Sequence, residues 1–82
     1  MTINTTGQWL RHATERIAEI SDTPSLDAEV LLRAICMLDR VALAIAPETP
    51  LKMEQLKTLE NLLARRAQGE PIAYLLEEKE FW

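Results

Sequence analysis

Apolar residues recur every three or four positions along most of the chain, and this spacing predicts amphipathic helices. We predict a first helix from about Thr6 to Ile20. Thr5 and Gln8 have the spacing of a capping box, in which a hydroxyl and an amide satisfy two N–H groups at the helix start. The apolar face of this helix comprises Leu10, Ala13, Ile17 and Ile20, with Trp9 beside them.

The second predicted helix begins at Pro24 or Ser25. Its first turns carry Asp27 and Glu29, where the helix dipole favours anions. Apolar side chains cover most of its circumference, a pattern typical of a helix at the centre of a bundle. These side chains are Leu26, Val30, Leu31, Leu32, Ala34, Ile35, Met37 and Leu38.

Two further helices are predicted in the second half of the chain. A short third helix runs from Arg40 to Ala46 with Asp39 as its cap, and a fourth begins at Pro50 or shortly after it. Gly69 stands where a left-handed C-cap ends the fourth helix, and residues Ile72 to Leu76 add another turn or two. The pattern predicts an all-α fold, a compact bundle of four to five short helices. The apolar stripe of the fourth helix comprises Met53, Leu56, Leu59, Leu62, Leu63 and Ala67.

Composition and charge narrow the possible functions. The chain has 82 residues and a net charge of −4, so it forms one small domain without the cationic excess of a generic nucleic-acid-binding protein. No apolar run approaches the ~18 residues of a membrane span, so we expect a cytoplasmic domain. The single cysteine, Cys36, excludes an internal disulfide and a cysteine-based zinc site. Gly7 and Gly69 alone form neither a Walker loop nor a dinucleotide-binding fingerprint.

Residues with chemically versatile side chains are few, and each has a structural interpretation. His12 is the only histidine and is expected at the surface or boundary of the first helix. Cys36 lies near the end of an apolar helix, where we expect a small hydrophobic side chain and not a reactive thiolate. The carboxylates of Glu77, Glu78 and Glu80 are expected to form a solvated acidic face.

Ser25 opens the second helix, as the phosphopantetheine-bearing serine does in acyl and peptidyl carrier proteins. The stretch from Ser25 to Leu31 is similar to theirs, although Pro24 precedes Ser25 where carriers have aspartate. Two alternatives therefore remain beside the resemblance described next. One is a carrier-like bundle modified on Ser25. Without that modification, Ser25 is only a helix-start residue. The other is a generic helical interaction module.

The C-terminal third carries the most specific pattern. It reads Arg65-Arg66-Ala67-Gln68-Gly69-Glu70-Pro71-Ile72-Ala73-Tyr74-Leu75, followed by Glu80-Phe81-Trp82. This pattern closely resembles the peptide chain release factor glutamine methyltransferases, the HemK/PrmC family. Upstream, Asp27-Ala28-Glu29-Val30-Leu31-Leu32 resembles the family's Asp-Ala-Glu-x-Leu-Leu stretch at the right distance. The resemblance covers the chain from about Trp9 to Trp82.

The resemblance implies a domain and not a whole enzyme. Family members join a small N-terminal helical bundle to a Rossmann-like domain that holds S-adenosylmethionine and methylates the side-chain amide of a release factor glutamine. Residues 1–76 would form the bundle, and residues 77–82 would begin the connection to the missing methyltransferase domain. The fragment would hold no catalytic residue, cofactor or metal. Its implied role is to help recognise the release factor, with that factor and the methyltransferase domain as partners.

Four residues in the stretch that resembles the family are candidates for contact, and two positions of the chain depart from the family pattern. Arg65, Arg66, Glu70 and Tyr74 are candidates for contact with the partner or with the other domain. The arginines also suit the negative end of the fourth helix, which is their structural interpretation. The family usually has glycine where Glu77 stands and often near Met37. We therefore expect Met37 to extend the second helix or to replace its glycine C-cap by other means.

Overall fold

The computed structural model describes residues 3–75, and helices account for most of that range. The four helices are α1 (Thr6–Arg16), α2 (Pro24–Cys36), α3 (Arg40–Ile45) and α4 (Met53–Ala67). A further helical segment covers residues 72–75. No strand occurs between residues 3 and 75 apart from an isolated bridge that joins Thr5 to Pro50. The prediction of an all-α bundle is confirmed.

Helix α2 lies at the centre of the bundle and contacts α1, α3 and α4. Its buried residues are Ala28, Leu31 and Leu32, whereas Leu26 is 48% exposed and Met37 is 89% exposed. The prediction of a central helix is confirmed, although part of its apolar circumference faces solvent. A domain of this size has too few elements to surround one helix completely. The core comprises Trp9, Ala13, Ile17, Ala28, Leu31, Leu32, Leu43, Leu59, Leu62, Leu63 and Leu75.

Helix α1 begins as predicted and ends earlier than predicted. The Thr5 side chain accepts the Gln8 N–H and the Gln8 side chain accepts the Thr5 N–H, which confirms the capping box. The helix ends at Arg16, and Ile20 lies in the following turn with 45% of its surface exposed. In this turn the Ile20 and Ser21 N–H groups both donate to the Ile17 carbonyl, and the Ser21 hydroxyl donates to Asp27 of α2.

The ends of α3 and α4 follow local sequence signals. The Asp39 carboxylate accepts the Ala42 N–H and caps α3. At the end of α4, Gly69 has a φ of 103° and donates its N–H to the Arg66 carbonyl. The Glu70 N–H then bonds to the Arg65 carbonyl, and the two bonds complete a Schellman motif. Gly69 thereby directs Glu70 back toward the last turn of α4.

The start of α1 packs directly against the loop between α3 and α4. The Gly7 N–H donates to the Pro47 carbonyl at 2.7 Å, and the Thr6 N–H donates to the Thr49 carbonyl at 2.9 Å. A Cβ atom on Gly7 would lie 2.9 Å from both the carbonyl oxygen and the Cβ of Pro47. Only glycine permits this close approach of the two backbones.

We expect Gly7→Ala to lower the free energy of unfolding by about 1–2 kcal/mol. Helix propensity alone predicts the opposite sign, because alanine exceeds glycine by about 1 kcal/mol in a helix. The contact with Pro47 decides the sign, since the added methyl group meets a backbone oxygen that cannot rotate away. Chemical denaturation measures the difference, with Glu15→Ala at an exposed position of α1 as the control. A stabilised Gly7→Ala variant would contradict the packing argument.

Met37 ends α2 by adopting the left-handed conformation itself, with φ 53° and ψ 42°. Its N–H and that of Leu38 both donate to the Arg33 carbonyl. Of the two expected outcomes, Met37 does not extend the helix but itself takes the place of the glycine C-cap. The side chain points into solvent, so packing contributes little to holding this conformation.

We expect Met37→Gly to raise the free energy of unfolding by about 0.5–1 kcal/mol. The left-handed conformation costs a side-chain-bearing residue about 1–2 kcal/mol, and the greater unfolded-state freedom of glycine offsets part of the gain. Thermal unfolding checks the result. Met37→Ala keeps the strain and is expected to leave the stability within about 0.5 kcal/mol of the original. An equal gain in both variants would place the effect in the side chain and not in the backbone.

Candidate functional site

The two sequence stretches that carry the family resemblance meet in the structure. Asp27, in the first turn of α2, forms an ion pair with Arg66, in the last turn of α4, at 3.1 Å from Arg66 Nε to Asp27 Oδ2. The side chains are 14% and 15% exposed, respectively. Opposite charges at the ends of two neighbouring helices thus stand where each helix dipole favours them. The ion pair joins residues that are 39 apart in sequence.

Asp27 has two further partners in the turn before α2. The Ser21 hydroxyl donates to Asp27 Oδ2 at 2.6 Å, and the Thr23 hydroxyl donates to Oδ1 at 3.3 Å. The Thr23 N–H donates in turn to the Ser21 oxygen. We call Ser21, Thr23, Asp27 and Arg66 the α2–α4 junction. Several donors around one carboxylate compensate for its removal from water.

Three of the predicted contact residues form a second group, the Arg65 cluster, which comprises Arg65, Glu70 and Tyr74. Arg65 donates from Nε and Nη2 to the two Glu70 oxygens at 2.8 and 2.9 Å. Its guanidinium lies 5.9 Å from the centre of the Tyr74 ring, within range of a cation–π contact. Arg66 Nη1 donates to the Glu70 carbonyl at 3.4 Å and links the cluster to the junction. The four predicted residues are therefore brought together.

The Arg65 guanidinium favours the charged form of Glu70. Its hydrogen bonds to the carboxylate hold the pKa of Glu70 below the ordinary glutamate value, against a smaller opposing effect of desolvation. A lowered pKa stabilises the fold at pH values above the unfolded-state pKa. That contribution is lost as the pH falls through the folded-state pKa.

We expect Glu70→Gln to lower stability at pH 7 and to have a smaller effect at pH 3. The ordinary glutamate pKa is about 4.3, so at pH 3 the unfolded chain holds this proton, and the stabilisation that depends on the carboxylate charge is smaller than at pH 7. Urea denaturation at both pH values measures the two differences. Glu19→Gln, at an exposed position, is the matched control. A difference that is independent of pH would contradict the contribution of the carboxylate charge.

A polar contact across α1 and α4 was not predicted from the sequence. Trp9 is fully buried, and its indole N–H donates to Glu60 Oε1 at 3.1 Å. His12 Nε2 lies 3.5 Å from the same oxygen. Buried tryptophans usually need a hydrogen-bond partner for the indole N–H. The tryptophan on the apolar side of the first helix was therefore the signal in the sequence that such a contact exists. His12 is half-buried, in keeping with its predicted boundary position.

The remaining candidates carry little chemistry in the described part of the chain. Cys36 is half-buried, and burial raises the pKa of its thiol, which keeps it protonated at neutral pH. Ser25 is exposed in the first turn of α2. Glu77, Glu78 and Glu80 lie outside the described residues. Between residues 3 and 75, no helix is long and apolar enough to cross a membrane, and no metal-binding group of three His, Cys, Asp or Glu side chains occurs.

Comparison with known proteins relates the sequence of this chain to one family. The sequence profile of the PrmC N-terminal domain matches residues 8–76. Over 74 residues the chain is 49% identical to a release factor glutamine methyltransferase of Yersinia pestis. The aligned stretch covers 90% of the chain and 26% of that protein. The proteins of the same name from Coxiella burnetii and Escherichia coli are 43% and 42% identical, over 88% and 90% of the chain. The chain spans about a quarter of the length of these relatives. No solved structure matches it significantly.

Proposed function

Because this chain belongs to the release factor glutamine methyltransferase family through its PrmC N-terminal domain, we propose that it recognises the release factor for that enzyme. The observation that carries the proposal is the match over residues 8–76. The substrate class is a bacterial peptide chain release factor, and the transferred group is a methyl on a glutamine side chain. We place this proposed function in translation termination, in the cytoplasm. This match favours the proposal over the carrier-like alternative on Ser25.

The proposed role of this chain does not include cofactor binding, and the positions of its two glycines support this. Gly7 permits close packing against Pro47, and Gly69 ends α4, so neither belongs to a loop that suits a nucleoside cofactor. These two glycines therefore offer no cradle for S-adenosylmethionine. We assign that cofactor and the catalytic residues to the rest of the parent enzyme. The bundle contributes binding energy away from the reacting amide, which is how remote contacts raise specificity.

The bundle suits this role because its candidate contact residues are already ordered. Arg65, Arg66 and Glu70 are held by one another and by Asp27, whereas about half of the Tyr74 surface is exposed. Side chains fixed before binding lose less entropy when a partner arrives. These four residues remain our candidates for contact with the release factor or with the catalytic domain.

A titration of the ¹⁵N-labelled 82-residue chain with an unlabelled bacterial release factor tests the proposal. We expect amide shift changes confined to one face of the bundle. An unrelated protein of similar size and charge serves as the control and should leave the spectrum unchanged. A dispersed spectrum that does not change with release factor would contradict direct recognition by the bundle. Equal changes with both proteins would contradict its specificity and favour a generic interaction module.

A further inference from the structure

The break between α2 and α3 depends on one strained residue. Met37 ends α2 in the left-handed conformation, with φ 53° and ψ 42°, and Asp39 caps α3 two residues later. Among residues 3–75, Met37 is the one residue other than glycine that has a positive φ. Its side chain is 89% exposed, so tertiary packing offsets little of the strain. Another backbone conformation of this short segment is therefore close in energy.

The sequence on both sides of this break favours a continuous helix. Between residues 25 and 46 the chain contains neither glycine nor proline, the two residues that most strongly interrupt helices. Apolar residues also keep the helical spacing of three or four positions across the break. They are Ala28, Leu31, Ile35, Leu38, Ala42 and Ile45. In a continuous helix, Ile45, which is 73% exposed in the structure, lies on the same face as Leu31.

Helix α3 folds back along α2 in the structure. Arg40 forms an ion pair with Glu29 at 3.3 Å, and Ser25 and Pro47 line the same surface cleft. The Pro47 carbonyl in turn accepts the Gly7 N–H, so the fold-back places the loop after α3 against the start of α1. A continuous helix separates Ser25 from Pro47 by about 33 Å. These contacts then cannot form within one chain.

A second copy of the chain supplies the missing contacts, because its α1 and α2 present the same surfaces. The Leu51 N–H donates to the Asn4 carbonyl at 2.8 Å, just before α4 begins, so α4 follows the loop onto the second copy. This arrangement is a domain-swapped dimer. The contacts of the bundle are kept in it, while residues 37–39 change from a turn to helix.

We propose that residues 37–39 are a hinge and that the chain has a second folded form, a domain-swapped dimer in which α2 and α3 are one helix. The dimer relieves the strain at Met37 and loses the Asp39 cap of α3, so these two residues set the balance between the forms. The α2–α4 junction is then built from two copies, with Asp27 from one and Arg66 from the other. The inference goes beyond the proposed function and does not depend on it.

Refolding of the 82-residue chain at two protein concentrations tests the inference. The short hinge holds α3 and α4 beside α2 at millimolar effective concentration, so a second copy competes only when the chain is near ~1 mM. We expect chain refolded from urea at ~1 mM to contain a dimer, measured by light scattering after size-exclusion chromatography. Chain refolded at a concentration about a hundredfold lower is expected to be monomeric.

Nuclear magnetic resonance distinguishes a swapped dimer from an ordinary one. A dimer is refolded from a mixture of ¹⁵N-labelled and ¹³C-labelled chains, and isotope-filtered nuclear Overhauser effects are recorded between copies. We expect such an effect between Gly7 of one copy and Pro47 of the other, because these residues are in contact. A dimer of two closed copies shows this effect only within each copy.

Two hinge variants are expected to change the dissociation constant of the dimer in opposite directions. Met37→Gly removes the strain from the monomer at each of two hinges, so we expect the dimer to dissociate roughly 100-fold more readily. Asp39→Ala removes a cap that only the monomer uses, and the dimer should become at least about tenfold tighter. Met37→Ala keeps the strain and is expected to stay within about threefold of the original constant.

Thr5→Ala is the matched control for Asp39→Ala. Thr5 caps α1 in both forms, so its loss should leave the dissociation constant within about threefold of the original. Four results would overturn the inference. The chain refolded at ~1 mM is entirely monomeric, or its dimer shows no effect between Gly7 and Pro47 of different copies. Alternatively, Met37→Gly and Met37→Ala change the constant equally, or Thr5→Ala changes it as much as Asp39→Ala.

Discussion

Asp27→Ala is expected to lower the free energy of unfolding by about 3 kcal/mol, the lower end of the cost of removing one partner from a buried ion pair. The loss is large because Arg66 keeps its charge while only 15% of its side chain reaches solvent. The Ser21 hydroxyl also loses its acceptor at 2.6 Å. Urea denaturation of the 82-residue chain measures the difference. Such a loss is a large fraction of the stability of a domain of this size.

Two controls separate this pairing from a change in net charge. Asp22→Ala removes the same charge at an exposed position nearby and is expected to change stability by no more than about 0.5 kcal/mol. The double variant Asp27→Ala/Arg66→Met removes both charges, so its cost should be less than the sum of the single costs. Additive costs would show that the two residues stabilise the fold independently.

Leu59→Ala is expected to cost about 2–5 kcal/mol, and Leu31→Ala a similar amount. Both leucines are fully buried, Leu59 on α4 and Leu31 on the central helix α2. Each substitution removes apolar contacts and leaves a cavity that short helices tethered at both ends fill only in part. Thermal unfolding followed by circular dichroism reports the loss, and either variant is expected to be largely unfolded at 37 °C.

Leu26→Ala is the matched control for these core substitutions. It makes the same chemical change at a position that is 48% exposed, in the same helix as Leu31. We expect its cost to stay below about 1 kcal/mol. An unchanged melting temperature in Leu59→Ala and Leu31→Ala would mean that the helix faces are wrongly assigned.

Much of the helical architecture was predictable because its signals are local. Thr5 with Gln8, Asp39 and Gly69 each act on backbone groups within a few residues, so spacing alone identifies them. The predicted end of α1 at Ile20 was wrong, because the helix ends at Arg16. The apolar spacing continues beyond Arg16 to Ile17 and Ile20, so periodicity alone does not mark this end.

The candidate contact residues were predictable as a set but not in their arrangement. The resemblance selected Arg65, Arg66, Glu70 and Tyr74, yet spacing gives no sign that Arg66 turns toward α2 while Arg65 turns toward Glu70. Neighbouring residues on a helix point about 100° apart, so two adjacent arginines reach different partners. Which partner each one meets depends on where α2 lies.

The sequence by itself determined the helical elements, the caps at Thr5, Asp39 and Gly69, and the family. Only the tertiary structure decided which distant residues meet: Asp27 with Arg66, Trp9 with Glu60, and Gly7 with Pro47. The physical reason is the range of the interactions. Capping and hydrophobic periodicity act within one or two helical turns, whereas a buried ion pair or a close backbone contact exists only once two elements have packed together.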